Sequence, residues 1–195
     1  MTIGIRTLSG PELAEALDAL ADLRIAVFAE WPYLYDGDAA YEREYLVEFA
    51  AEEGSVLVSA IDGDRIVGAA TASPMSGQKP EFRRPFEALG HDTASLFYFG
   101  ESVLLPAYRG KGIGHAFFDR REAAARAHGA THATFCAVVR NENDARRPPG
   151  HRPLDPFWRA RGYEKLEGLT TSFDWKEPGS AGEVAHTMQF WMAAL

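Results

Sequence analysis

Apolar residues recur along this chain with two different periods, and the changes of period divide it into elements. Residues 3–8 alternate and predict a short first strand. Ser9 with Glu12 three residues on reads as a capping box, and Pro11 suits an early helical position. Leu13, Ala16, Leu17, Leu20, Leu23 and Val27 then form one helical stripe to about residue 30. Trp31-Pro32-Tyr33-Leu34-Tyr35-Asp36-Gly37 breaks that helix with an aromatic loop. Asp38 is placed to cap a second helix carrying Tyr41, Tyr45 and Phe49 on one face.

Period two returns over residues 55–61 and 66–72, which flank the turn signal Asp62-Gly63-Asp64-Arg65 and predict a hairpin. The polar stretch 74–91 has room for a short helix around 82–89. Residues 95–105 are the longest β-like run, and 112–128 read as a helix stopped by Gly129. Residues 131–139 predict another strand, 140–153 a loop, and 155–161 a short helix ended by Gly162. Residues 163–175 and 184–192 close the chain as an antiparallel pair around Pro178-Gly179-Ser180. The order β-α-α-β-β-β-α-β-α-β-β predicts an α/β chain: a mixed sheet of about seven strands flanked by about four helices, on both faces. With no repeat and no linker, residues 1–195 read as one domain.

Composition narrows the function. Of 195 residues, 46% are hydrophobic and 25% charged, enough for a full core, and no window approaches a membrane span. The first residues lack a basic segment followed by an apolar one, so no signal peptide is expected. Cys136 is the single cysteine, which fits a reducing cytoplasm. A formal net charge of −8 argues against a nucleic-acid partner. Yet basic residues are dense over 109–126 and 140–152, which suits a small anionic ligand.

That ligand has an obvious candidate seat. Val103-Leu104-Leu105 ends a strand, Pro106-Ala107-Tyr108 turns the chain, and Arg109-Gly110-Lys111-Gly112-Ile113-Gly114 opens a helix. Helix starts leave backbone N–H groups unpaired and partially positive, and glycines let a phosphate reach them. A dinucleotide fingerprint would need glycine where His115 stands, and a mononucleotide loop would need a hydroxyl residue after Gly110-Lys111. Arg109-x-x-Gly112-x-Gly114 instead resembles the signature of the GNAT superfamily of acyl-CoA-dependent N-acyltransferases. Phe157-Trp158-Arg159-Ala160-Arg161-Gly162-Tyr163 resembles a later segment of that family.

The resemblance implies an acetyltransferase with acetyl-CoA as co-substrate and no metal. It implies that the backbone of Arg109, Gly110, Lys111, Gly112, Ile113 and Gly114 holds the CoA pyrophosphate, and that Val103, Leu104 and Leu105 pair with the pantetheine arm. The strands before and after the signature helix should splay, with a bulge near Gly100 and Ser102. Phe157 and Trp158 would border the cofactor, and Asn141 or Asn143 would take a contact for which the family uses an asparagine where His151 stands. Trp158 also occupies the place of the family's usual tyrosine acid, and an indole cannot supply a phenolic proton.

N-acylation by a thioester needs a base for the acceptor's ammonium proton. Glu101 is the leading candidate, since alternation puts it on a strand face with Phe97, Phe99, Val103 and Leu105, where a carboxylate is costly unless paired or protonated. The competing reading is an ion pair with Arg24 or Arg140. Tyr98 and Tyr108 are alternative catalytic residues, and Tyr33 and Tyr35 alternative acids. The resemblance sets the acceptor pocket at the loop between the first two helices, where Trp31, Tyr33, Tyr35 and Asp36 offer rings and a carboxylate for a cation. The acceptor would be a small-molecule or peptide amine, and the closing strand pair leaves room for a homodimer. The alternative is an acyl-CoA sensor of the same fold without catalysis. The histidines show no metal-ligand spacing.

Overall fold

The chain alternates two kinds of apolar surface, flat strand faces and helical stripes, and they meet in three layers. The computed structural model describes residues 3–195; Met1 and Thr2, part of the N-terminal reading, lie outside the described residues. Seven strands form one sheet in the order β1-β2-β3-β4-β5-β7-β6. They are β1 (Gly4–Leu8), β2 (Val56–Asp62), β3 (Arg65–Pro74), β4 (Leu96–Leu104), β5 (His132–Val138), β6 (Glu164–Lys176) and β7 (Glu183–Ala194). Every neighbouring pair is antiparallel except β4 and β5. Among the described residues there are six α-helices: α1 (Gly10–Glu15), α2 (Leu17–Phe28), α3 (Ala39–Ala51), α4 (Pro80–Ala88), α5 (Ile113–His128) and α6 (Asp155–Ala160).

The first predicted helix is thus two, broken at Ala16, and Ser9 caps it without a side-chain hydrogen bond. Glu12, the other half of the expected capping box, bonds Arg6 instead. Asp38 does cap α3, accepting from the Tyr41 N–H at 2.8 Å. The inward stripe of α3 differs from the predicted one. Tyr41 is exposed, while Glu42 and Leu46 are buried beside the partly buried Tyr45 and Phe49.

α1, α2 and α3 cover one face of the sheet, packing Leu13, Leu20, Leu23 and Leu46 on Leu57, Ala69 and Val103. α4 continues that face, with Phe82 and Phe86 on Tyr98 and Phe190. α5 covers the other face with Ile113, Phe117 and Phe118, and Phe157 and Trp158 of α6 join the same side. These apolar faces account for most of the fold's cohesion, at about 25 cal/mol per Å² of apolar surface removed from water. No helix among the described residues is long and apolar enough to cross a membrane, and none of their His, Cys, Asp and Glu side chains cluster as a metal site.

Candidate active site

Two irregularities in β4 build the site. The first is the seam with β5. The parallel ladder runs only through Leu96↔His132, Phe97↔Ala133 and Tyr98↔Thr134, and beyond Tyr98 the two strands part. Ser102 is exposed although it lies in the middle strand of seven, which marks the opening this leaves. The second is a bulge against β3. Ala70 pairs with Ser102 and Ala72 with Phe99, so Thr71 alone faces both Gly100 and Glu101. The Thr71 hydroxyl fills the bulge and accepts from the Glu101 N–H at 3.2 Å. A Cβ on Gly100 would stand 2.4 Å from that oxygen, so only glycine fits without displacing it.

The extra residue reverses the alternation of β4. Phe97 and Phe99 point to α5, whereas Val103 joins the α2 face and Glu101 meets Arg24 of α2. Simple alternation had put Glu101 on one face with Phe97, Phe99, Val103 and Leu105; the bulge is why it instead shares the α2 and α3 side with Tyr98 and Val103. There its carboxylate lies 2.7 Å from Arg24 Nη1, and Arg24 Nε bonds Glu42. Arg24 is thus the partner, and Arg140 is not: it pairs with Glu177. Burial works against the charge of Arg24, yet Glu101, Tyr45 and Glu42 hold the guanidinium above its ordinary value. Its carbon also sits 4.7 Å from the Tyr45 ring centre.

Several phenols converge here. Burial, with Cys136 and Glu101 nearby, raises Tyr33, and burial with Glu42 raises Tyr35. Tyr45 is raised by burial and by Glu101. The Tyr98 hydroxyl lies 3.2 Å from Cys136 Sγ across the widening seam. Burial pushes the Cys136 thiol up to about 12. Tyr33, Tyr35 and Tyr98 are therefore protonated at neutral pH, the state an acid needs. Tyr108 is elsewhere: its hydroxyl donates to Asp62 in the β2–β3 turn at 2.8 Å.

The aromatic loop splits into two groups. Tyr33 faces Glu101, and Tyr35 faces Glu42. Trp31 packs edge-on to His151 at 6.1 Å, and Asp36 pairs with Lys176 at 2.8 Å. Arg140 fastens the loop. It donates from Nε to the Pro32 carbonyl and from Nη2 to the Tyr33 carbonyl, while Nη1 holds Glu177 at 2.6 Å. A cleft of about 150 Å³ is lined by Tyr45, Phe49, Phe82, Glu48, Glu52 and Lys79, and Tyr45 is also the ring that Arg24 lies against.

The predicted phosphate turn lies at the C-terminal end of β4. Pro106–Tyr108 is one 3₁₀ turn, and Gly112 is the N-cap of α5. Gly110 and Gly112 have φ of +74° and +80°, a region open mainly to glycine. The space where their side chains would be is open, and a Cβ on Gly114 would meet only the Phe157 ring, at 3.6 Å. The first helical N–H groups, at Ile113 and Gly114, face this space without intrahelical partners. Lys111 lies over the Tyr108 ring, and Arg109 is held by Glu30 and the Leu104 carbonyl. Val103 is buried against α2, with Leu104 and Leu105 half-buried at the strand end. This cradle suits a pyrophosphate in charge, backbone donors and absence of side chains.

Phe157 joins that cradle through Gly114 and His115. Trp158 is turned into the core, 5.0 Å from Phe135 and 5.2 Å from Trp191. Asn143 is exposed on the loop after β5, where its N–H bonds Asn141. That loop is fastened through Arg146 to Glu177, so its ties run to the Arg140 clamp on the aromatic loop. Glu42 was missed by the pattern reading, although it lies three, four and seven residues before Tyr45, Leu46 and Phe49, in phase with the buried stripe.

The chain matches the acetyltransferase (GNAT) family model over residues 19–148, more than half its length. It belongs to the GNAT acetyltransferase family. No curated protein sequence matches it, but solved structures do. An aminoglycoside 6'-N-acetyltransferase complexed with coenzyme A aligns with a TM-score of 0.60 at 15% identity, covering 98% of this chain and 96% of that one. Ribosomal-protein-alanine N-acetyltransferase from Brucella melitensis gives 0.59 at 18% identity over 98% and 99%. PaiA N-acetyltransferase from Thermoplasma acidophilum, in complex with coenzyme A, gives 0.55 at 14% identity over the whole of both chains. At these identities the likeness is one of fold.

Proposed function

We propose that this chain transfers an acetyl group from acetyl-CoA to a primary amine by direct attack, with Glu101 as general base. The observation that carries the reading is the meeting, in one strand, of the open seam, the glycine cradle at its end and the Glu101 carboxyl at the bulge between them. CoA, when bound, supplies the activated acyl group as a thioester. The open glycines and free amides from Arg109 to Gly114 hold its pyrophosphate, and the unpaired edge of Val103 to Leu105 aligns its arm. Glu101 takes one proton from the acceptor's ammonium, so that nitrogen carries a lone pair. The C–N bond then forms and the C–S bond breaks, its electron pair leaving on sulfur. The second ammonium proton goes to that sulfur or to solvent. Tyr33, protonated and facing Glu101, and Tyr98, three residues before it in β4, are phenols for this last step; Trp158 is not a donor.

The acceptor enters on the Glu101 face, through the cleft walled by Tyr45. Its amine is cationic before reaction, which suits the rings and carboxylates there.

Calorimetric titration with acetyl-CoA, with ATP and NAD as controls, tests the cradle. Thiol release is then measured with a panel holding an aminoglycoside, a peptide beginning with alanine and simple alkyl diamines. Glu101→Gln should keep acetyl-CoA affinity and lower turnover roughly 10²-fold or more. Binding without amine-dependent release across the panel favours a CoA sensor over an enzyme. Tighter binding of ATP or NAD than of acetyl-CoA defeats the cradle assignment.

A further inference from the structure

Two buried carboxylates share a single guanidinium at the bulge. Arg24 bonds Glu42 through Nε and meets Glu101 through Nη1, and the three side chains are 11%, 1% and 6% exposed. Oε1 of Glu42 and Oε1 of Glu101 are both buried without a hydrogen-bond partner, the latter in ion-pair contact with Arg24. With all three ionised, these side chains carry one net negative charge where water is excluded, opposed only from across the sheet by the buried Arg121. One carboxylate would neutralise Arg24, so the second costs stability and needs another reason.

The groups facing Glu101 suggest that reason. They are Arg24 from α2, Tyr45 from α3, Tyr33 from the loop and, across the sheet, Arg121 from α5, with Glu42 of α3 on the other side of Arg24. The phenols are neutral at pH 7, so Glu42 is the one negative group in this set that opposes the arginines. A carboxylate facing an unshared guanidinium keeps its charge and accepts a proton poorly.

We propose that Glu42 is a positioning residue for acyl transfer: it takes up the charge of Arg24, leaving the Glu101 carboxylate free to receive the acceptor's proton while Arg24 still fixes it at the bulge. This rests on Glu101 as the base. It gives α3 a part in the chemistry although none of its residues touches the reacting atoms.

The test uses protein labelled with ¹³C at glutamate side-chain carboxyls. The Glu101 signal is assigned by its loss in Glu101→Gln. In Glu42→Gln it should stay in its ionised position to lower pH than in the wild type. In Arg24→Gln/Glu42→Gln it should change at higher pH than in Glu42→Gln. Melting of Glu42→Gln should be unchanged or higher, since a neutral ion pair replaces a charged cluster, while thiol release from acetyl-CoA with the best amine of the panel falls about tenfold or more. A Glu101 signal unmoved by Glu42→Gln overturns the proposal, as does a Glu42→Gln protein that melts early and turns over normally once folded. Full turnover by Glu101→Gln would refute the base itself, a failure separable from the carboxyl titration.

Discussion

Gly100→Ala is the sharpest probe of the bulge. Gly100 has an ordinary backbone conformation, so alanine meets no φ penalty there. Its Cβ would instead stand 2.4 Å from Thr71 Oγ1, roughly 1 Å inside normal contact. The hydroxyl has to swing away, and with it goes the hydrogen bond from the Glu101 N–H. A lost hydrogen bond that strands a buried donor costs about 1–3 kcal/mol, and a similar figure holds for overpacking. The two overlap, since moving the hydroxyl relieves the clash, so about 2–4 kcal/mol is expected. For a chain of this length that lowers Tm by roughly 4–15 °C. Thr71→Ala removes the obstruction and the acceptor together, at about 1–3 kcal/mol. The double variant should therefore be more stable than the sum of the singles by at least ~1 kcal/mol. Urea unfolding of all four proteins measures this. Penalties that add to within ~0.5 kcal/mol would refute the claim that Gly100 is glycine because Thr71 occupies its side-chain space.

Three further outcomes are expected. Gly112→Glu puts a side chain and a negative charge where φ is +80° and an anion is to bind, so calorimetry should find acetyl-CoA binding abolished; unchanged binding would place the phosphates elsewhere. Arg140→Ala leaves Glu177 to Arg146 alone and frees the Pro32 carbonyl, while Trp175 still bonds the Tyr33 carbonyl; a loss of about 1–3 kcal/mol in urea unfolding is expected, and a loss below ~0.5 kcal/mol would mean the loop holds without its clamp. His186 is stacked on Trp175 at 3.6 Å, and burial first, then Arg140, holds it below its ordinary value of 6.5. The unfolded chain binds that proton more readily, so this stabilisation is complete above pH 6.5 and fades as pH falls below it. His186→Phe should keep the stack and flatten Tm between pH 6.5 and 5; an unchanged slope would remove His186 as a source.

The strands were readable because each presents one apolar face with clear turn chemistry at its ends. Asp62-Gly63-Asp64-Arg65 closes β2 and β3 with Asp62 opposite Arg65, where the pattern had put the turn. The glycine turn was readable for a related reason: positive φ at Gly110 and Gly112 leaves its mark in residue type. The face of Glu101 was not. Its direction depends on one added residue in β4, and that bulge is set by Thr71 in another strand, twenty-nine residues before Gly100. Glu42 was obscured for the opposite reason. A polar residue inside an apolar stripe breaks the pattern used to find the stripe, and its meaning arises only when Arg24 is folded against it. The clamp on Arg140 joins residues 32, 33, 140 and 177, and no local spacing relates them.

The short ladder between β4 and β5 also bears on how the molecule assembles. The hairpin of β2 and β3 closes over a two-residue turn, so half of the sheet can zip up from local contacts. The other half waits on β7, which reaches past β6 to pair with β5 some fifty residues earlier in the chain. The halves meet only through three residue pairs, which are parallel and have the whole of α5 between them in the chain. By its long loop closure this seam is expected to form last, after the crossover helix has docked Phe117 and Phe118 on the sheet. Changes that slow helix docking should then leave two preformed half-sheets waiting to join at the point where the β4–β5 opening begins.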